Sequence, residues 1–207
     1  MGGYSSGANF KEQNCVGQAD FVTVSLVKVD ETRRLRCPMT TPNLVELWEE
    51  HCRYEFESRD VNATMATMVH QPYVNHVPTM TGGVGHEQLK RFYAHHFIPV
   101  NPPDFRLTLI SRTVGTDTLV DEFILKFTHD TEIDWMLPGI EPTRRKVEVP
   151  MVAIVKFEDD KLVHEHIYWD QATVLVQIGL LDPLNLPIAG LETSHTRLKT
   201  NHCQATN

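Results

Sequence analysis

Two hydrophobic periods divide this chain. Leu44, Leu47, Trp48, Cys52 and Phe56 recur at helical spacing, which predicts a helix to about Ser58, capped by Thr41 with Pro42 in its first turn. Asp60 is placed to cap a second helix, with Val61, Met65, Met68 and Val69 on one face and Gln71-Pro72 as its stop. Tyr73 to Val77 reads as a short strand ending at Pro78. Thr81-Gly82-Gly83-Val84-Gly85 reads as a glycine-rich turn into a third helix carrying Leu89, Phe92, Tyr93, His96 and Phe97 on one stripe. Its G-G-x-G spacing fits neither the Walker pattern nor the dinucleotide fingerprint, so it is read as loop chemistry.

From Pro102 the period falls to two. Phe105, Leu107, Leu109 and Ser111 alternate with Arg106, Thr108, Ile110 and Arg112, and Gly115-Thr116-Asp117 turns the chain. Leu119, Asp121, Phe123, Leu125, Phe127 and His129 then share one face. After a loop holding Trp135, Pro138, Gly139 and Pro142, Val147, Val149, Met151, Ala153, Val155 and Phe157 share a face of another long strand. Glu158-Asp159-Asp160 turns it into a last strand, Lys161 to Asp170, and Gln171 to Leu181 forms a short closing helix. Consecutive hairpin signals after a run of helices predict an α+β domain whose antiparallel meander bends over helices gathered on one face. Such a cone-shaped curved sheet leaves a cavity suited to one small apolar ligand.

The last strand carries the most chemistry. Alternation puts His164, His166, Tyr168 and Asp170 on one face and Val163, Glu165, Ile167 and Trp169 on the other. The polar face is expected to floor the cavity. Asp170, buried beside Tyr168, Trp169 and Trp135, would carry a proton at a pKa raised toward neutrality. The same carboxylate could cap the helix that begins at Gln171, and the two roles are compatible. His166 would tune Asp170, and His76 would polarise or deprotonate the substrate. Tyr73, Met80, Trp135 and Met136 are expected to shape an apolar wall, with His129 and Asp134 as weaker polar contacts. A competing reading places a zinc or iron ion on His164 and His166, with Asp170 or His76 completing the set.

Composition narrows the partners. The 207 residues suit one domain with extensions, read as 1–39 at the N-terminus, a domain over 40–190 and a polar tail over 191–207. A net charge of −8 and only short basic runs, Arg33-Arg34-Leu35-Arg36 and Arg144-Arg145-Lys146, argue against a nucleic-acid surface. Cys15, Cys37, Cys52 and Cys203 are scattered without a C-x-x-C pair, so free thiols in a reducing compartment are expected. No leader or membrane-span pattern occurs, and a cytoplasmic setting follows as an expectation.

Leu137-Pro138-Gly139-Ile140-Glu141-Pro142-Thr143-Arg144-Arg145-Lys146-Val147-Glu148-Val149-Pro150, then Phe157-Glu158-Asp159-Asp160-Lys161, Tyr168-Trp169-Asp170-Gln171 and Gln177-Ile178-Gly179-Leu180-Leu181, are similar in order and spacing to the SnoaL-like polyketide cyclases of the nuclear-transport-factor-2-like superfamily. The resemblance spans about Asn43 to Leu181. It implies a cone of curved sheet (an α+β barrel) closed by N-terminal helices, homodimers paired through the outer sheet, and general acid–base work by the aspartate at the position of Asp170. No Gly-x-Ser-x-Gly nucleophile elbow occurs, which argues against a dienelactone hydrolase.

The expected function is therefore a cofactor-independent acid/base enzyme: a cyclase, isomerase or lyase acting on a hydrophobic carbonyl- or phenol-bearing metabolite. A non-catalytic ligand-binding or dimerisation module, and a metal-dependent enzyme using His164 and His166, are the alternatives.

Overall fold

The computed structural model describes residues 43–188. The expectations for the 1–39 extension, the 191–207 tail, Thr41, Pro42, Cys15, Cys37 and Cys203 lie outside these residues. Helix α1 (Leu44–Phe56) starts two residues later than the proline suggested. Asn43 caps it, its Oδ1 accepting from the amides of Val45 and Glu46. Helix α2 (Val61–Ala66) is capped by Asp60 as expected, through the amides of Asn62 and Ala63. It is shorter than its pattern, because Met68 and Val69 already belong to strand β1 (Met68–His76), which passes through Pro72 without stopping.

Strand β2 (Thr81–Val84) forms where a turn was expected, pairing antiparallel with β1 through Tyr73–Val84 to His76–Thr81. The glycines make this possible. A Cβ on Gly82 would stand 2.0 Å from the Val74 carbonyl oxygen, and one on Gly83 would stand 2.8–2.9 Å from the Leu89 backbone. Helix α3 (His86–Phe92) follows and runs into a π-helical turn over Tyr93–Phe97. Tyr93 and Phe97 are buried, whereas His96 leaves the expected stripe for the surface, where its Nδ1 meets Asp134 Oδ2 at 2.6 Å.

Strands β3 (Arg106–Val114), β4 (Thr118–Thr128), β5 (Lys146–Glu158) and β6 (Lys161–Trp169) form the meander, and α4 (Gln171–Gln177) closes it. The sheet is six-stranded, curved and unclosed, in the order β2-β1-β6-β5-β4-β3. It is mixed, since β1 runs parallel to β6. One core gathers on its inner face: Leu119, Leu125 and Phe127 from β4, Val147 to Phe157 at alternate positions of β5, and Leu162, Ile167 and Trp169 from β6, against Leu44 and Trp48 of α1. Burying each such side chain stabilises by roughly 1.5–3 kcal/mol.

Strand β6 shows which side faces in. Lys156 pairs with His164 but Phe157 with Leu162, so Val163 is an extra residue, a β-bulge. Beyond it Glu165, Ile167 and Trp169 are buried, while His164 and His166 are half-buried and Tyr168 is exposed on the opposite face. The expectation that the His164, His166, Tyr168 and Asp170 face floors the cavity is therefore corrected. The more apolar face turns inward because it buries more hydrocarbon, and it takes Glu165 with it.

Candidate active site

A cavity of about 940 Å³ opens between α1, the π-helical turn and the inner face of the sheet. Trp48, Phe56, Phe97, Phe105 and Trp135 supply aromatic wall, and Val74, Leu125, Met151, Ala153 and Ile167 supply aliphatic surface. Where Glu55 and Glu165 line its floor they meet a third ionisable side chain buried behind them, His51, a group the alternation argument overlooked. His51 Nε2 lies 3.1 Å from Glu55 Oε1 and 3.1 Å from Glu165 Oε1, with His51 fully buried and both carboxylates nearly so. Tyr93 donates its hydroxyl to Glu165 Oε1 at 3.2 Å and stands 3.4 Å from His51 Nε2. Trp48 stacks on the imidazole at 5.6 Å.

Local structure explains the convergence. Leu44, Trp48, His51 and Glu55 are the buried positions of α1, so His51 and Glu55 continue its apolar stripe one turn apart. Val155 and Val74 flank Glu165 in register, which holds the carboxylate at the centre of the sheet. Tyr93 enters from the π-helical turn, a device often found at functional sites.

Electrostatics follow from burial. Desolvation alone would lower the His51 pKa, but the charges of Glu55 and Glu165 and their hydrogen bonds outweigh it and raise the imidazole to about 10. Burial raises the Glu55 carboxyl, with His51 opposing it, and raises the Tyr93 phenol and the Cys52 thiol well above their ordinary values. The site thus holds an imidazolium beside a carboxyl group that resists ionisation. One donor atom each from His51, Glu55 and Glu165 lies within 4.8 Å of the others, so the same three groups could hold a metal ion.

A second polar link flanks the cavity. Arg112 binds Asp121 in bidentate fashion, Nε to Oδ1 at 2.7 Å and Nη2 to Oδ2 at 2.8 Å, and reaches Glu49 with Nη1 at 2.7 Å. Trp48 Nε1 donates to Asp121 Oδ2 at 2.9 Å. These groups satisfy one another and tie α1 to β3 and β4.

Of the residues chosen from sequence, His76 and Trp135 line the cavity. His76 is buried among Phe92, Phe97, Trp135 and Trp169, and its Nδ1 has no hydrogen-bond partner. Desolvation lowers its pKa to about 4, so it is neutral at ordinary pH. Trp135 donates to Asn101 Oδ1 at 3.0 Å. Trp169 is buried beside both rings and donates to Gln171 Oε1 at 2.6 Å.

The other choices lie elsewhere. Asp170 is exposed and caps α4, its Oδ1 accepting from the Ala172 amide at 2.9 Å and its Oδ2 from the Thr173 hydroxyl at 2.6 Å. That is the capping role weighed from sequence, and the carboxylate does not line the cavity. His166, His164 and Tyr73 stack together on the outer face, with ring centroids 4.6–5.4 Å apart. Neither Asp170 nor His76 joins those histidines in a potential metal group among the described residues, which corrects the His164/His166 metal expectation. Met80 is 89% exposed and Tyr168 is also exposed. Met136 and His129 are buried outside the cavity lining, His129 Nδ1 accepting from the Thr143 amide, and Asp134 faces His96.

Residues 48–165 match the SnoaL-like domain family. This chain belongs to that family. Among solved structures, a protein of Jannaschia sp. CCS1 described as a SnoaL-like polyketide cyclase is 20% identical over 72% of this chain and 100% of its own, with a TM-score of 0.52. Another so described, from Shewanella putrefaciens CN-32, is 12% identical over 66% of this chain and 86% of its own, at 0.54. An NTF2-like protein of unknown function from Burkholderia pseudomallei is 18% identical over 65% and 96%, at 0.50. At these identities the likeness shows the fold. No curated protein sequence matches the chain.

Proposed function

We propose that this protein is an acid/base enzyme which moves a proton on a hydrophobic carbonyl- or phenol-bearing small molecule, giving cyclisation, isomerisation or elimination. One observation carries the reading: Glu55 and Glu165 line an aromatic-walled cavity, and His51 sits between them, buried behind the lining. An interior costs several kcal/mol per buried ion, so a fold that only stored an apolar ligand would be more stable with hydrocarbon there. Glu165 accepts the substrate proton, His51 holds the counter-charge, and Tyr93 donates to oxygen charge as it develops. The free Nδ1 of His76 offers a hydrogen-bonding contact to a polar substituent, and Trp135 shapes the wall. Family membership supports small-molecule chemistry in this cavity without naming the reaction. Homodimerisation through the outer face that bears Tyr73, His164 and His166 belongs to the same reading, as does a cytoplasmic setting.

Proton exchange tests it without the natural substrate. A panel of hydrophobic enolisable ketones is incubated with chelator-treated protein in deuterium oxide, and α-deuteration is followed by NMR. The wild type and Asp170→Asn are expected to accelerate exchange to the same degree, and Glu165→Gln to lose roughly 10²-fold or more. Exchange that survives in folded Glu165→Gln and collapses in Asp170→Asn would overturn the assignment. Light scattering checks the dimer.

A further inference from the structure

The orientation of His51 is set from outside the carboxylate pair. Thr67 has one hydroxyl hydrogen and gives it to the Thr64 carbonyl at 2.7 Å. Its oxygen, 2.5 Å from His51 Nδ1, must then be the acceptor, which places a hydrogen on Nδ1. The unprotonated imidazole therefore turns the lone pair of Nε2 toward Glu55 Oε1 and Glu165 Oε1, each 3.1 Å away. Three lone-pair donors aimed at one point repel unless something positive lies among them: the Nε2 proton of the imidazolium, or a metal cation in its place.

We propose that this point is a binding site for a divalent first-row transition ion, held by His51 Nε2, Glu55 and Glu165. Neighbouring ligands at about 2.0–2.2 Å from a zinc-like ion stand roughly 3–3.5 Å apart, so the 3.1 Å separations need little adjustment. Residues Glu55 and Glu165 line the cavity, so a remaining coordination position opens onto it. A histidine ligand that donates its other N–H to a fixed acceptor is the usual supporting arrangement, and Thr67 supplies it here. An imidazole with two carboxylates favours zinc, iron or manganese over the all-oxygen cages that suit calcium. The facing groups are the Tyr93 hydroxyl and the Cys52 thiol, with Asp121 already committed to Arg112 and Trp48.

The binding does not depend on the proton-transfer reading, but one consequence does. Coordination requires a bare Nε2 and two ionised carboxylates, so any proton held among them passes to solvent. The ion then occupies the Glu165 carboxylate that would accept the substrate proton, and it inhibits exchange.

Cobalt(II) is the probe. The full chain, freed of metal by chelation, is titrated with Co²⁺ while visible absorption, proton release and calorimetry are followed. The expected result is saturation at about one equivalent, with d–d bands and released protons. Folded Glu55→Gln and Glu165→Gln are expected to lose this binding, Thr67→Val to weaken it by about 10–100-fold, and Thr67→Ser to retain it. Absence of saturable binding in the wild type overturns the proposal even if no variant folds, as does unchanged binding in folded Glu165→Gln. The ketone exchange assay on chelated protein reports separately on proton transfer.

Discussion

His51 Nε2 stands 3.1 Å from Glu165 Oε1, which joins the third turn of α1 to the middle of β6 across the cavity floor. Neither element makes the site alone. The pair forms only when the helix docks on the sheet, so its integrity reports on tertiary structure and on chemistry together.

Removing His51 alone should hurt more than removing it together with Glu165. His51→Leu leaves Glu55 and Glu165 buried without their counter-charge and is expected to cost about 3–5 kcal/mol, whereas Glu165→Leu keeps the His51–Glu55 pair and should cost less. The double variant should recover a substantial part of that loss. Urea unfolding of the four proteins in a double-mutant cycle checks this, and strictly additive losses would contradict the coupling.

Asp170→Ala should lower stability by about 1 kcal/mol, because two hydrogen bonds at the start of α4 disappear. Asp170→Asn keeps a capping oxygen and should lose less. Neither change should alter ligand affinity or ketone exchange. Thermal melts beside exchange rates separate the two effects.

Stability should fall as acid reaches His76. Burial lowers its folded pKa to about 4, against about 6.5 when unfolded, so folding favours the neutral ring. The contribution is fully present above the unfolded value and is lost as pH falls from 6.5 toward 4. A shift of this size corresponds to about 3 kcal/mol at most. Unfolding by urea between pH 7 and 4 should show the decline, and His76→Phe should flatten it.

Gly82→Ala should be more damaging than Gly139→Ala. Both glycines have positive φ, +132° and +73°, but a Cβ at Gly82 meets the Val74 carbonyl oxygen at 2.0 Å while nothing lies within 4 Å of one at Gly139. Gly139→Ala should cost about 1 kcal/mol of backbone strain. Gly82→Ala should cost more and loosen the β1–β2 edge, which amide hydrogen exchange at Val74 and Asn75 would register.

Much of the fold was readable. The alternations Leu119 to Phe127 and Val147 to Phe157 match the buried faces of β4 and β5, and the cap at Asp60 is where its residue type put it. Strand β2 was not, because glycines commonly signal turns and only the close approach to Val74 and Leu89 shows why an edge strand needs them. The site was legible in a form that is easy to miss. His51 and Glu55 fall in phase with Leu44 and Trp48, Asp121 interrupts an apolar strand face, and Glu165 shares its face with Ile167 and Trp169.

Sequence alone determined the order of the helices and of every strand but β2, since periods of 3.6 and 2 are local properties of the chain. It also determined the family likeness and the caps at Asp60 and Asp170. Which face of β6 turns inward was a tertiary decision, made by the hydrocarbon that Ile167 and Trp169 bury. That decision carried Glu165 to His51 and left His166 and Asp170 outside the cavity, because successive side chains of a strand point to opposite faces.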